Sequence, residues 1–384
     1  MEPGDPGGGG GIGALGDQVK IGYFLSRQTH LKVLGPVAAE ARRRGHACVA
    51  QIQRAGPKDD VSKSWAQGLS LFDQVTTHDL EADWMVAVGL RTAADERHVS
   101  RSRGIKWAAL DSCGDNLLYV REYGEAVLKD WDCVTTLAPE PRDAAGAWML
   151  EPVGYPELDQ LFTVISDQAA CRVKWNLPER QNIVLFAPAA RPAHLSRLSR
   201  WWWGRGDYPF IAHQVRRFCD RHGALLITKT RAKHGDPPWL EGLSDRYIGE
   251  TCYYPFDTLE LVVASDLVTG GFGSALAIEA AAVGRPQAWL QAWPLERSEW
   301  PRFLPVRRPF FADPGGLWNH AGARTLNCYG PRWREHLQFW AEESPWPELD
   351  DAAREQHSRA VTRWAGPVDG KASARFLDLL ESRC

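Results

Sequence analysis

A glycine-rich segment in the second half of the chain has residue types that suit phosphate binding. Residues 269–279 read TGGFGSALAIE, after an apolar run and at the start of a helical pattern. Glycines let backbone N–H groups approach a ligand closely, and a helix start favours phosphate. Ser274 could cap that helix or bond a phosphate oxygen, and Glu279 could accept hydrogen bonds from ribose hydroxyls. The alternative is a tight strand-to-helix turn with a solvated Glu279.

Cationic side chains follow two other apolar runs of the second half. Lys229 and Arg231 lie in ITKTRAKH after the run at 225–228, and Arg191 follows the run at 183–187. Guanidinium and ammonium groups placed in one cleft could neutralise a pyrophosphate. Solvated basic loops are the alternative interpretation of both segments.

His30 follows the first apolar run of the chain, in the polar segment SRQTH. The ordinary pKa of histidine lies near neutrality, so His30 could act as a general base on an acceptor hydroxyl. The alternative is a residue at the start of a helix with no chemical role.

Short apolar runs alternate with helical patterns in both halves, and they predict the elements that position these segments. The first half opens with a run at 19–25, a helical pattern at 31–44 and a further run at 47–50. Further runs follow at 84–89, 106–110 and 133–137, and the second half repeats the alternation from residue 182, with its last runs at 267–269 and 287–290. Such runs indicate parallel sheets covered on both faces, with ligands beyond the carboxyl ends of the strands. Pro36 predicts that the first helix kinks or begins near it.

The fold class predicted from this alternation is α/β, with two Rossmann-like parallel-sheet domains in tandem. We expect the first domain at 18–155, the second at 156–345 and a helical segment at 346–384. Residues 1–17 contain five consecutive glycines and predict a disordered tail.

Composition and charge exclude several classes of protein. The 45 Lys and Arg residues against 48 Asp and Glu give a net charge of −3, which does not favour nucleic acid as a partner. No apolar run is long enough to span a membrane, and the N-terminal residues do not resemble a signal peptide. The eight cysteines form no CxxC pair, and the histidines show no metal-binding spacing. These patterns predict a cytoplasmic protein with reduced thiols and no metal site.

Tryptophan is unusually frequent, and its distribution is uneven. The chain has 18, of which twelve follow residue 193. Trp201, Trp202 and Trp203 are consecutive and have arginines on both sides, which suits peripheral contact with the inner membrane face or a platform for sugar stacking. Packing under a loop or at a dimer contact is the alternative.

Several motifs resemble the GT-B-fold transferases, in particular the CDP-glycerol glycerophosphotransferase-like group, which is related to UDP-sugar 2-epimerases. They are VGYPELD at 153–159, IVLFAPA at 183–189, LLITKTR at 225–231, the segment 253–286 and GPVDGKASARFLDLL at 366–380. The resemblance implies an acceptor-side first domain that faces a nucleotide-donor domain across a cleft. It implies contacts of Gly273 and Ser274 with the diphosphate, Glu279 with the ribose and Lys229 with the phosphates. It also implies that no metal ion or cofactor is needed.

The sequence departs from that group in two motifs. Its Lys-x-His-Pro pattern reads Lys229-Thr230-Arg231 here, and its Asp-Tyr-Ser-Ser stretch is GFGS at 271–274. The donor nucleotide is therefore open between CDP- and UDP-linked compounds.

Three functional hypotheses remain. The first is a metal-independent transferase of cell-surface glycan or polymer biosynthesis, which moves glycerol phosphate or a sugar from a nucleotide-activated donor to an acceptor hydroxyl. The second is a non-hydrolysing UDP-sugar 2-epimerase, which needs acid and base carboxylates such as Asp95 and Glu96. The third is a non-catalytic nucleotide-sugar-binding protein.

Overall fold

The computed structural model describes most of the chain in separate stretches. The described residues are 18–53, 66–78, 80–90, 97, 103–112, 114–138, 150–188, 207–230, 238–249, 251–271, 274–291 and 315–384.

The first half forms a seven-stranded parallel sheet in the order β3-β2-β1-β4-β5-β6-β7. Successive strands are added on one side of β1 as far as β3, and from β4 onward they are added on the other side. In such sheets ligands bind in the crevice beyond the carboxyl ends of the two strands at this point of reversal, here β1 and β4. The strands are β1 Lys20–Leu25, β2 Ala47–Ile52, β3 Gln74–Thr76, β4 Trp84–Val88, β5 Lys106–Leu110, β6 Cys133–Thr136 and β7 Leu150–Pro152.

The second half forms a six-stranded parallel sheet in the order β10-β9-β8-β11-β12-β13. Here the order reverses between β8 and β11. A Cβ on Gly270 of β11 would lie 2.3 Å from the carbonyl oxygen of Ala187, so glycine is required for these two strands to pair closely. The strands are β8 Ile183–Ala187, β9 Leu225–Lys229, β10 Arg246–Ile248, β11 Leu267–Gly271, β12 Gln287–Gln291 and β13 Ala323–Asn327.

Helices cover both sheets, and short 3-10 turns at Gln28–His30 and Pro156–Asp159 precede two of them. In the described part of the chain the α-helices are α1 Leu31–Arg43, α2 Ala66–Leu69, α3 Asp115–Tyr123, α4 Gln160–Thr163, α5 Gln168–Lys174, α6 Asp207–Arg221, α7 Pro238–Leu243, α8 Asp257–Ala264, α9 Leu276–Ala282, α10 Trp333–Glu343, α11 Asp351–Ala365 and α12 Ala372–Glu381. None of these helices combines the length and the apolar character that crossing a bilayer requires.

Helix α1 begins at Leu31 and continues through Pro36 to Arg43, so the prediction of a start near the proline is wrong. A proline has no N–H to donate to the carbonyl four residues earlier, which here belongs to Lys32. The side-chain amide of Gln160 donates to that carbonyl instead, at 3.2 Å. A residue from α4 thus satisfies the backbone group that the proline leaves unpaired.

Helix α12 returns from the end of the chain to pack on α1 and on the 3-10 turn at Pro156–Asp159. The Asp159 carboxylate accepts hydrogen bonds from the backbone N–H groups of Ala372 and Ser373, at 3.1 and 2.7 Å. Phe376 of this helix is completely buried in the larger hydrophobic core. Helix α12 therefore contributes to the hydrophobic core beside the first sheet.

Candidate functional site

The structure describes four of the seven site residues predicted from the sequence, namely His30, Lys229, Ser274 and Glu279. Arg191, Arg231 and Gly273 lie outside the described residues, as do Trp201, Trp202, Trp203, Asp95 and Glu96. For these residues the roles in phosphate binding, membrane contact and acid–base chemistry stay predictions.

His30 closes the 3-10 turn that leads from β1 into α1, at the carboxyl edge of the first sheet. Its side chain is buried, and its backbone N–H donates to the carbonyl of Arg27 at 3.0 Å. The turn places His30 beside the crevice at the switch point, as a general base would require, and its catalytic role stays a prediction.

Lys229 is the last residue of β9, and its ammonium group is buried among protein groups. It donates to the carbonyl of Thr230 at 3.0 Å and to the hydroxyl of Thr251 at 2.5 Å. Burial raises the pKa of Asp257, while the charge of Lys229 opposes that rise. In this structure Lys229 thus ties the end of β9 to the segment that leads into α8.

Ser274 lies two residues before α9, where its side-chain oxygen accepts a hydrogen bond from the backbone N–H of Leu276 at 3.3 Å. The residue that directly precedes the helix is Ala275, so the hydroxyl of Ser274 bonds the first N–H group of α9 from outside the N-cap position. A serine in this position can also present its hydroxyl to a ligand at the carboxyl end of β11.

Glu279 lies in α9 with only 3% of its side chain exposed, so the alternative of a solvated carboxylate is wrong. Its Oε1 lies 3.6 Å from Nζ of Lys32, which belongs to α1 beside the first sheet. The contact joins the two halves of the molecule at the crevice. A buried carboxylate that faces a cation stays ionised at a lower free-energy cost than an isolated one.

Lys32 was not predicted from the sequence, and in the structure it lies between two buried carboxylates. Its Nζ lies 2.7 Å from Oε2 of Glu157, 3.4 Å from the hydroxyl of Tyr155 and 5.2 Å from the ring centre of Phe256. Tyr155 in turn donates to Oε2 of Glu157 at 2.7 Å, and Glu157 is fully buried. We call Lys32, Tyr155, Glu157 and Glu279 the bridging cluster.

Asp111, at the carboxyl end of β5, is a second candidate that the sequence did not indicate. It is completely buried, and burial raises its pKa to about 7. One carboxyl oxygen accepts from the backbone N–H of Asn116 at 3.1 Å, and the other, Oδ2, has no hydrogen-bond partner among the described residues. A carboxyl group that titrates near neutrality suits general acid–base chemistry.

No group of three or more His, Cys, Asp or Glu side chains that could hold a metal ion occurs among the residues described. A cavity of about 700 Å³ lies at the other end of α9, beside Gly284 and His357 of α11. Its described lining includes none of the residues predicted to bind the donor.

The fold is similar to that of several solved structures, one of which is bound to UDP-GlcNAc. No protein-family model matches the chain, and no curated protein matches it. A UDP-GlcNAc 2-epimerase from Neisseria meningitidis, bound to UDP-GlcNAc, is 12% identical with a TM-score of 0.56, over 94% of this chain and 100% of that one. The wall teichoic acid polymerase TagF is 13% identical with a TM-score of 0.52, over 94% and 88%. MurG from Acinetobacter baumannii is 12% identical with a TM-score of 0.52, over 95% and 99%.

These likenesses, with the two all-parallel sheets, show that the chain has the GT-B fold. The resemblance noted in the motifs is confirmed at the level of the fold.

Proposed function

We propose that this protein is a metal-independent transferase that moves a sugar or glycerol phosphate from a CDP- or UDP-linked donor to an acceptor hydroxyl. The observation that carries the proposal is the buried carboxylate of Glu279, which faces Lys32 across the crevice between the two sheets. A buried, ionised carboxylate beside the switch point of a parallel sheet is suited to accept hydrogen bonds from ribose hydroxyls. The similar solved structures include one bound to UDP-GlcNAc and one with CDPG.

The proposed reaction uses groups at the facing edges of the two sheets. The acceptor oxygen attacks the transferred group, and His30 takes the proton of the acceptor hydroxyl. The bond between the transferred group and the nucleotide breaks, and the leaving nucleotide takes its electron pair. Ser274, Gly273 and the cations Lys229, Arg191 and Arg231 would stabilise the charge that develops on the leaving phosphate.

A two-step experiment tests this function. A thermal-shift screen with CDP-glycerol and with CMP-, UDP- and GDP-linked sugars identifies the donor, because a ligand that binds only the native state raises its melting temperature. Release of CMP, CDP or UDP is then measured with the donor that binds.

Glu279→Gln should weaken donor binding. His30→Ala should lower the turnover without weakening donor binding. A folded protein that stabilises no donor contradicts the proposal, and binding without release by any acceptor identifies a non-catalytic binding protein.

A UDP-sugar 2-epimerase is the second candidate, and Asp111 favours it. Epimerisation needs a group that removes and returns the proton at C2 of the sugar, and the pKa of about 7 suits that role. In deuterated water, an epimerase incorporates solvent deuterium at C2 of UDP-GlcNAc, whereas a transferase does not. Asp111→Asn should abolish that incorporation while the variant still binds the nucleotide.

We also propose a cytoplasmic location with peripheral contact at the inner membrane face through Trp201, Trp202 and Trp203. Sedimentation with anionic and neutral liposomes tests the contact. The triple substitution of these residues by alanine should abolish binding to both kinds of vesicle, and unchanged binding contradicts the proposal.

A further inference from the structure

We propose that Lys32 is a positioning residue that keeps the Glu279 carboxylate ionised and aimed at the ribose of the donor. The inference rests on the function proposed above, because it needs a nucleotide in the crevice. Lys32 comes from the helix after β1, and Glu279 comes from the helix after β11. The contact would therefore make donor binding by the second half depend on a residue of the first.

The ammonium of Lys32 is held between two buried carboxylates. It lies 2.7 Å from Glu157 and 3.6 Å from Glu279, and only 14% of the Lys32 side chain is exposed. The hydroxyl of Tyr155, which donates to Glu157, and the face of the Phe256 ring also lie close to this ammonium. This arrangement fixes the direction of the long lysine side chain.

The backbone carbonyl of Lys32 is also held by a side chain from another helix. Gln160 donates to the Lys32 carbonyl at 3.2 Å, and its side-chain oxygen accepts from the backbone N–H of Phe256 at 2.8 Å. Gln160 itself is fully buried. Through these two hydrogen bonds, the Gln160 side chain links α1, which carries Lys32, to the backbone of Phe256. The ring of Phe256 lies beside the Lys32 ammonium.

The positioning role follows from the cost of a buried charge. An ionised carboxylate withdrawn from water is stabilised when a cation faces it, and both its oxygens then accept hydrogen bonds. Removing the Lys32 ammonium takes away a cation that favours the ionised form of Glu279, which is the form whose two oxygens both accept hydrogen bonds from ribose hydroxyls. The rival role, a direct contact of Lys32 with the donor phosphates, would not depend on the ribose.

Ribose discrimination separates these two roles. We would measure by calorimetry the Kd of the nucleoside diphosphate identified in the screen and of its 2′,3′-dideoxy analogue. The wild-type protein should favour the ribonucleotide by about 10-fold or more, since a hydrogen bond to a charged group contributes that much. Lys32→Met and Glu279→Gln should each remove most of this preference, and the double variant should bind no more weakly than Glu279→Gln alone.

Two variants control for a structural effect. Lys32→Arg keeps the positive charge and should restore part of the ribose preference. Lys174→Met removes the cation from another buried carboxylate, Glu260, which lies 2.5 Å from Lys174 outside the bridging cluster. It should leave the preference at its wild-type value. If Lys32→Met does not fold, as judged from its melting curve, the ribose preference of Lys32→Gln decides the question in its place.

The outcomes distinguish this inference from the proposed function. If the wild-type protein binds no nucleotide, both fail together. If it binds and the lysine variants keep the ribose preference while losing overall affinity, the function stands, and Lys32 contacts phosphate directly. Additive effects in the double variant also overturn the positioning role.

Discussion

The buried carboxyl groups of this protein differ in what surrounds them. Glu157 and Glu279 lie 2.7 and 3.6 Å from the ammonium of Lys32, so a cation faces each of them. Asp111 is completely buried at the end of β5, and burial raises its pKa to about 7. The hydrogen-bonding role proposed for Glu279 and the proton-transfer role proposed for Asp111 therefore rest on different surroundings.

Asp111 should make the stability of the protein depend on pH. Its folded pKa of about 7 lies above the value of about 3.9 in an unfolded chain. Between these values the folded protein keeps a proton that the unfolded chain releases, so Asp111 by itself lowers the free energy of unfolding as the pH rises. Its contribution is on the order of 3–4 kcal/mol. Burial lowers the pKa of His320 to about 4, which acts in the opposite direction, so the contribution of Asp111 is read from the difference between the wild-type protein and Asp111→Asn. Urea unfolding from about pH 4.5 to about pH 8 should show the wild-type protein losing stability relative to the variant.

Asp369 provides the matched control for that measurement. A hydrogen bond from Arg375 lowers the pKa of Asp369, so this carboxyl is ionised throughout the pH range of the measurement. Asp369→Asn should keep the wild-type slope. A pH dependence in Asp111→Asn equal to that of the wild-type protein would contradict the raised pKa.

The sequence allowed Glu279 to be predicted as a site residue but not Lys32. Glu279 follows a glycine-rich turn at a recognisable spacing, so the local sequence identified it as a candidate, and its contact with the ribose stays a prediction. Lys32 is a lone cation in an amphipathic helix, a pattern typical of a solvated face. Its partners Glu157 and Glu279 come from distant parts of the chain, and only the folded packing of the two halves brings them together.

At the scale of elements, the missed strands share one physical property. All four lie at the edges of the two sheets, where one side has no neighbouring strand. They are only partly buried, whereas β1, β4, β8 and β11 are almost wholly buried. Edge strands lack the continuous apolar runs that identified the central ones. The missed strands are β3, β7, β10 and β13.

Pro36 and Gln160 form a pair of compensating features in α1, and a double-mutant cycle should reveal their coupling. Gln160→Leu leaves the Lys32 carbonyl and the Phe256 N–H buried without partners, and it should cost about 2–4 kcal/mol of stability. In a Pro36→Ala background, the backbone N–H that the substitution introduces can donate to the Lys32 carbonyl. The same glutamine substitution should then cost at least about 1 kcal/mol less.

Urea unfolding of the four proteins measures this cycle. Gln168→Leu serves as control, because Gln168 donates to Asp266 and not to α1. Its cost should be equal with and without Pro36. Equal costs of Gln160→Leu in both backgrounds would show that the Gln160 amide does not replace the missing helical donor.

At the scale of the whole molecule, the two halves are joined by more than the chain that passes between them. The segment 153–159 supplies Tyr155 and Glu157 to the bridging cluster, and it supplies Asp159 to the start of α12. Two helices, α11 and α12, lie in the last part of the chain. The packing of α12 against α1 could not be predicted, because an amphipathic pattern identifies a buried face without identifying its partner.

The packing of α12 predicts that a substitution near the end of the chain loosens the start of the first half. Phe376→Ala removes a fully buried ring and should cost about 3–5 kcal/mol. Because α12 packs on α1 and on the turn at Pro156–Asp159, amide hydrogens of α1 and α12 should exchange faster together, while those of β8 and β11 keep their protection. Hydrogen exchange with mass spectrometry measures both regions.

Phe339→Ala is the control, because the Phe339 side chain is 60% exposed, and it should change the exchange of neither region. Loss of protection confined to α12 would mean that the last helix is an appendage, and equal loss in β8 and β11 would mean that the two halves unfold as one unit.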